Sequence, residues 1–215
     1  MSKVFLLPGL GADCRIFKNI DLSGFEVVNI NWIIPDRSDT LSTYSQKLIN
    51  EYNIEDKSIV IGNSLGGMLT IEIAKKVNLN KAILISSIKS VREVPPSFKI
   101  YRYVPLYRIL PAKMYTSLGF VFRHAMGRMS EKNKELFIDM LEKTPPAFAK
   151  WAVGAILHWD NHTIPPNVFH ITGDKDLIFS YKRISNATII EGGTHLMILN
   201  KANKINNWLT QILQN

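Results

Sequence analysis

Apolar residues cluster in six short runs along the chain, at 3–7, 25–30, 57–61, 81–85, 167–171 and 187–190. Runs such as Ala82-Ile83-Leu84-Ile85 are apolar throughout instead of alternating, the pattern of parallel strands covered on both faces. Helical spacing fills the gaps at 40–52, 65–77 and 201–213. In the last of these, Ile205, Trp208, Leu209, Ile212 and Leu213 fall on one stripe. Strands alternating with helices predict an α/β fold built on a doubly wound, mostly parallel sheet of about six strands. Such sheets bind ligands in the crevice beyond the carboxyl ends of their strands.

The alternation is broken once. From about Ile88 to His162 no strand-like run occurs, and Pro95-Pro96, Pro105, Pro111 and Pro145-Pro146 punctuate the stretch. Helical patterns lie between the prolines, the clearest at 131–143. Residues 1–87 and 163–215 are expected to form the core, with 88–162 as a helical insertion.

At 215 residues the chain is long enough for one α/β domain with such an insertion. Ser2-Lys3-Val4 enters a strand at once, so no signal peptide is expected. No apolar run approaches the ~20 residues of a transmembrane helix. The single cysteine, Cys14, cannot form an internal disulfide, which suits a reducing cytoplasm; it reads as a small buried apolar residue. No Cys/His cluster suggests a metal, and no Gly-rich phosphate loop carries the required lysine. No metal or cofactor is expected.

Chemistry enters at Ile59-Val60-Ile61-Gly62-Asn63-Ser64-Leu65-Gly66-Gly67. A β-branched run passes into Gly-x-Ser-x-Gly and then into a helical pattern, the sequence form of a strand-to-helix turn with an exposed serine. Gly62 and Gly66 are small enough for strand and helix to approach. The helix opening at Leu65 aims its first N–H groups at developing negative charge. A bare Gly-x-Ser-x-Gly is common; the flanking strand and helix make this one specific.

A serine needs a base, and the base an orienting acid. Of five histidines, His195 lies in Glu191-Gly192-Gly193-Thr194-His195, just past an apolar run, where a general base can reach across. His170 sits inside the run Val168-Phe169-His170-Ile171 and reads as a strand side chain. His158 and His162 flank Trp159-Asp160 at the end of the insertion, and His124 lies in a basic stretch. The acid comes from Ile171-Thr172-Gly173-Asp174-Lys175-Asp176. The strand is expected to end at Ile171, with Asp176 as the acid and Asp174 capping the turn. The loop after the run 81–85 reads Ser86-Ser87-Ile88-Lys89 and offers no carboxylate. Ser64, Asp176 and His195 all follow strand ends.

The order Ser64, Asp176, His195 resembles that of the α/β-hydrolase superfamily, and the resemblance spans residues from about 3 to about 213. Val4-Phe5-Leu6-Leu7-Pro8-Gly9-Leu10-Gly11 resembles the family's His-Gly loop, with Pro8 in place of the usual histidine. The resemblance implies an oxyanion hole from the backbone N–H groups of Leu10 and Leu65, and a cap over Ser64 at residues 88–162. It also implies a serine hydrolase acting on a small acyl compound, most simply a carboxylic ester. Thioesterases share the triad, carbon–carbon bond hydrolases have a similar elbow, and a non-catalytic binding protein could keep the fold.

Charge is concentrated in the insertion. Between Lys89 and Ser130 stand Lys89, Arg92, Lys99, Arg102, Arg108, Lys113, Arg123 and Arg128 against Glu93 alone, which is +7 of the chain's +8. Phe98, Tyr101, Tyr103, Tyr107, Tyr115, Phe120 and Phe122 are interleaved. This stretch could attract anionic substrates or surfaces, although a solvated lid surface is the plainer reading. No nucleic-acid-binding signature accompanies it.

Overall fold

The computed structural model describes residues 2–103 and 129–214. Six strands form one sheet: β1 (Lys3–Leu7), β2 (Glu26–Asn29), β3 (Ile59–Asn63), β4 (Lys81–Ile85), β5 (Val168–Gly173) and β6 (Thr188–Ile190). Their spatial order is β2-β1-β3-β4-β5-β6, and every pairing is parallel. The chain steps outward from β1 to β2, then returns across β1 to begin β3. That reversal leaves a crevice between the carboxyl ends of β1 and β3, where doubly wound sheets hold their ligands.

Alternate side chains on each strand feed two cores. Phe5, Leu7, Val60, Ala82 and Leu84 pack toward α1 (Leu41–Tyr52) and α2 (Leu65–Ala74). Val4, Leu6, Ile59, Ile61, Ile83 and Ile85 pack toward α6 (Met197–Asn200) and α7 (Ala202–Leu213). Residues 65–73 of α2 are buried all round, as a helix central to one layer must be. On α7 the stripe holds: Ile205 and Leu209 are buried, while Trp208, Ile212 and Leu213 lean on the same core. No helix among the described residues is long and apolar enough to cross a membrane.

Between β4 and β5 the described residues form α3 (Pro96–Tyr103), α4 (Glu131–Lys143) and α5 (Pro146–Leu157). Helices α4 and α5 dock on opposite faces. Phe137 and Met140 of α4 join the α6/α7 core, and Phe148 and Ala152 of α5 join the α1/α2 core. Phe148 also stacks on Trp32 at 4.6 Å, and Trp151 donates to the Asp39 carbonyl at 2.8 Å. Pro105, Tyr107, Arg108, Pro111, Lys113, Tyr115, Phe120, Phe122, Arg123, His124 and Arg128 lie outside the described residues.

Five local expectations need correction. β3 spans Ile59–Asn63 and not 57–61, because Gly62 and Asn63 still pair with Leu84 and Ile85. β5 runs on to Gly173, because Thr172 and Gly173 still pair with Ile189 and Ile190. Helix α2 ends at Ala74, short of the expected Val77. Lys89 is no surface charge: it is buried and paired with Glu93 at 3.4 Å, so this pair cancels and leaves the insertion's outward field. Cys14 is only half-buried, and its thiol donates to the carbonyls of Leu6 and Ile30.

Candidate active site

β3 pairs with β1 on one side and β4 on the other, so its carboxyl end is held from both sides. Ser64 follows at once with φ 51° and ψ −116°, and α2 starts one residue later. A non-glycine residue in that region costs about 1–3 kcal/mol and persists only where its surroundings impose it. Here they do. Ser64 N–H donates to the Ile85 carbonyl at 3.0 Å, and Gly67 N–H donates to the Ser64 carbonyl at 2.9 Å. Strand and helix meet so closely that a Cβ on Gly66 would strike the carbonyls of Leu7 and Pro8.

His195 arrives from the other end of the chain. After β6, residues 191–194 carry it back to the carboxyl edge of β3, ahead of α6. The backbone of Gly193 rests directly on Gly173, with no room for a Cβ on either residue, and this contact joins the loops after β5 and β6. Asp174 strengthens the joint: its Oδ1 accepts the Gly192 N–H at 2.6 Å. Asp174 thus ties two loops together across eighteen residues, where the sequence leads one to expect a cap on its own turn.

Three side chains form one chain of hydrogen bonds. His195 Nε2 lies 2.9 Å from Ser64 Oγ, and His195 Nδ1 lies 2.9 Å from Asp176 Oδ2. A carboxylate oxygen can only accept, so Nδ1 carries the proton and Nε2 accepts from the serine hydroxyl. The Asp176 side chain is fully buried, and its other oxygen accepts from the N–H groups of Ile178 (2.8 Å) and Phe179 (2.9 Å). Phe179 then meets the His195 ring edge-on at 5.5 Å. Among the described residues no other histidine bonds Ser64: His170 is buried on β5, and His158 and His162 lie at the end of the insertion. Cys14 is no rival nucleophile, since burial pushes its thiol up to about 12.

The loop after β1 closes the crevice. A Cβ on Gly9 would lie 3.1 Å from the Cβ of Ser64, so the backbone leading into Leu10 runs beside the serine. Among the described residues, neither the Leu10 nor the Leu65 N–H donates to another group. Trp32 Nε1 holds the Ala12 carbonyl of this loop at 3.1 Å. Leu141 of α4 packs on Gly11, which places the end of α4 at the rim. Ser87 escaped the sequence reading: its hydroxyl donates to the Ser64 carbonyl at 2.6 Å. A serine in a loop after a strand carries no sequence signal for such a contact.

A model of the Alpha/beta hydrolase family matches residues 4–204. A thermophilic esterase from Thermogutta terrifontis superposes with a TM-score of 0.74 at 18% identity, over 99% of this chain and 90% of that one. A hydrolase from Pseudomonas aeruginosa gives 0.77 at 15% identity, over 100% and 90%. The enol-lactonase from Burkholderia xenovorans gives 0.72 at 15% identity, over 100% and 92%. At these identities the likeness concerns the fold alone. No curated protein sequence matches. The family match runs from within β1 into α7 and takes in the loops that carry Ser64, Asp176 and His195; the chain belongs to the alpha/beta hydrolase family.

Proposed function

We propose that this protein is a serine hydrolase that cleaves a small acyl compound, most simply a carboxylic ester, through an acyl-enzyme on Ser64. The observation that carries the reading is the pair of 2.9 Å hydrogen bonds from Ser64 through His195 to Asp176. In the proposed reaction Ser64 Oγ attacks the carbonyl carbon as His195 Nε2 takes its proton. Asp176 holds the ring in the required tautomer and stabilises the imidazolium. The N–H groups of Leu10 and Leu65 receive the oxyanion, a contribution typically worth on the order of 10²–10³ in rate per donor. His195 returns the proton to the leaving alcohol. Water then attacks the acyl-enzyme by the same route, releasing the acid and regenerating Ser64.

In this reading residues 88–162 form a cap that governs access to Ser64. A cytoplasmic setting accords with the lone free cysteine. Anion attraction by the insertion is a separate element; of its described basic residues, Arg92 and Arg102 are exposed, whereas Lys89 is buried against Glu93. It predicts that kcat/KM for an anionic ester falls faster with salt than for a matched neutral one.

A fluorophosphonate probe followed by peptide mapping tests the nucleophile. The expected result is one adduct on Ser64 that disappears in His195→Ala; absence of labelling, or labelling elsewhere, sinks the proposal. Matched esters and thioesters of varied acyl length then define the substrate class.

A further inference from the structure

We infer that Ser87 is a positioning residue, which sets the direction of the Leu65 N–H by holding the far end of the same peptide group. This inference rests on the reading of Ser64 as nucleophile and Leu65 N–H as an oxyanion donor.

The Ser64 carbonyl and the Leu65 N–H belong to one peptide unit. That unit is planar and trans, so its C=O and N–H point in opposite directions and turn together. The rotation that swings it is ψ of Ser64, which stands at −116° with φ at 51°. No ordinary backbone well lies there, so local preference does not fix the angle. Contacts to the carbonyl must fix it. Gly67 N–H at 2.9 Å and Met68 N–H at 3.3 Å approach from the helix side. Ser87 Oγ, at 2.6 Å, is the shortest of the three and the one that comes from outside α2.

Two features give Ser87 that reach. Ser86 takes a left-handed φ of 49° at the end of β4, which turns the chain out of the strand. Gly67 leaves room for the incoming side chain, since a Cβ there would overlap Ser87 Oγ and Cβ. Ser87 is fully buried, so its hydroxyl does not exchange this partner for water. A hydroxyl facing a carbonyl can only donate. Its donation also polarises the amide and makes the Leu65 N–H a stronger donor. Among the described residues that N–H has no partner, which leaves it available to a substrate oxygen.

The test compares wild type, Ser87→Ala and Ser87→Cys on an ester and on the matched thionoester, whose developing negative charge sits on sulfur, a weaker hydrogen-bond acceptor. For the ester, Ser87→Ala is expected to lower kcat roughly tenfold to a hundredfold with KM nearly unchanged, as small losses of alignment do. For the thionoester the loss should be several-fold smaller, so the ester/thionoester ratio falls. Ser87→Cys puts a somewhat larger, weakly donating thiol in the same place, and its ester kcat should fall between those of wild type and Ser87→Ala. The pH at which activity half-disappears on the acid side should stay put, because His195 and Asp176 are untouched. Equal losses on both substrates in Ser87→Cys would show a merely structural role, and an unchanged ester kcat in either variant would also overturn the inference. Ser64→Ala, measured alongside, separates the two levels: if it retains full activity, the parent reading is what has failed.

Discussion

The hydroxyl of residue 64 is set apart by what touches it and by the backbone that presents it. At φ 51° the side chain stands clear of strand and helix, and the imidazole of His195 meets it at 2.9 Å. Residues acting as one unit lose activity together, so Ser64→Ala and His195→Ala should each lower kcat by about 10⁴ or more, and the double variant should be little worse. Additive losses in steady-state kinetics would show that they act separately. Two nearby carboxylates give a sharper contrast. Asp176→Asn should cost about 10⁴ in kcat, because an amide no longer imposes the tautomer. Asp174→Asn keeps an oxygen for the Gly192 N–H and should stay within roughly tenfold of wild type, since one retained hydrogen bond is worth only about 1 kcal/mol. Reversed results would move the acid to Asp174. The meeting of Ser64, His195 and Asp176 could be anticipated from sequence because each is a reactive type within a few residues of an apolar run. Ser87 could not, because its partner is chosen by the turn at Ser86, which the letters Ser86-Ser87 do not encode.

Element positions follow from burial, and element ends from neighbours. The apolar run Lys81–Ile85 suits a strand covered on both faces, and it appears at the bounds the pattern gives, whereas β3 lies two residues beyond the expected 57–61. The end of β5 depends on whether β6 is there to pair with Thr172 and Gly173, which no local pattern reveals. Gly173 illustrates the consequence: it continues the strand opposite Ile190 and is a crossing point with Gly193. Gly173→Ala should therefore destabilise by about 1–3 kcal/mol, the usual cost of overpacking, and lower kcat by displacing the His195 loop. A variant with wild-type urea midpoint and activity would show that the two loops yield easily. The docking of α4 and α5 on opposite faces was likewise illegible, since amphipathic helices do not name their partners. Phe148→Ala should cost about 3–5 kcal/mol in denaturant unfolding, as expected for a fully buried ring.

Across the whole molecule, one buried group links stability to pH. Burial, aided by the Lys89 ammonium 3.3 Å from its Nδ1, pushes the His170 imidazole down from 6.5 to about 3. Glu93, paired with Lys89 at 3.4 Å, is the acidic group of the same cluster. The unfolded chain binds the proton first as pH falls, so the stability His170 contributes is complete above about 6.5 and declines toward pH 3. The slope for one such group is about 1.4 kcal/mol per pH unit. Between pH 6.5 and 5 the wild type should thus lose roughly 1–2 kcal/mol more than His170→Gln, which keeps an acceptor for Lys89 but does not titrate. Urea unfolding at the two pH values measures the difference, and parallel losses would remove His170 from the account. The sequence showed His170 within a strand; Lys89 and its near neighbour Glu93 follow β4 and reach His170 only when β4 and β5 come together.

Acylation of Ser64 is tested most directly by mixing the protein with a small excess of a short p-nitrophenyl ester, quenching in acid within the first turnover, and weighing the intact chain. The account predicts a gain of one acyl group, mapped to the peptide that contains Ser64, with release of one p-nitrophenol per protein in the burst. An adduct on another residue, or turnover by Ser64→Ala at the wild-type rate, would contradict it.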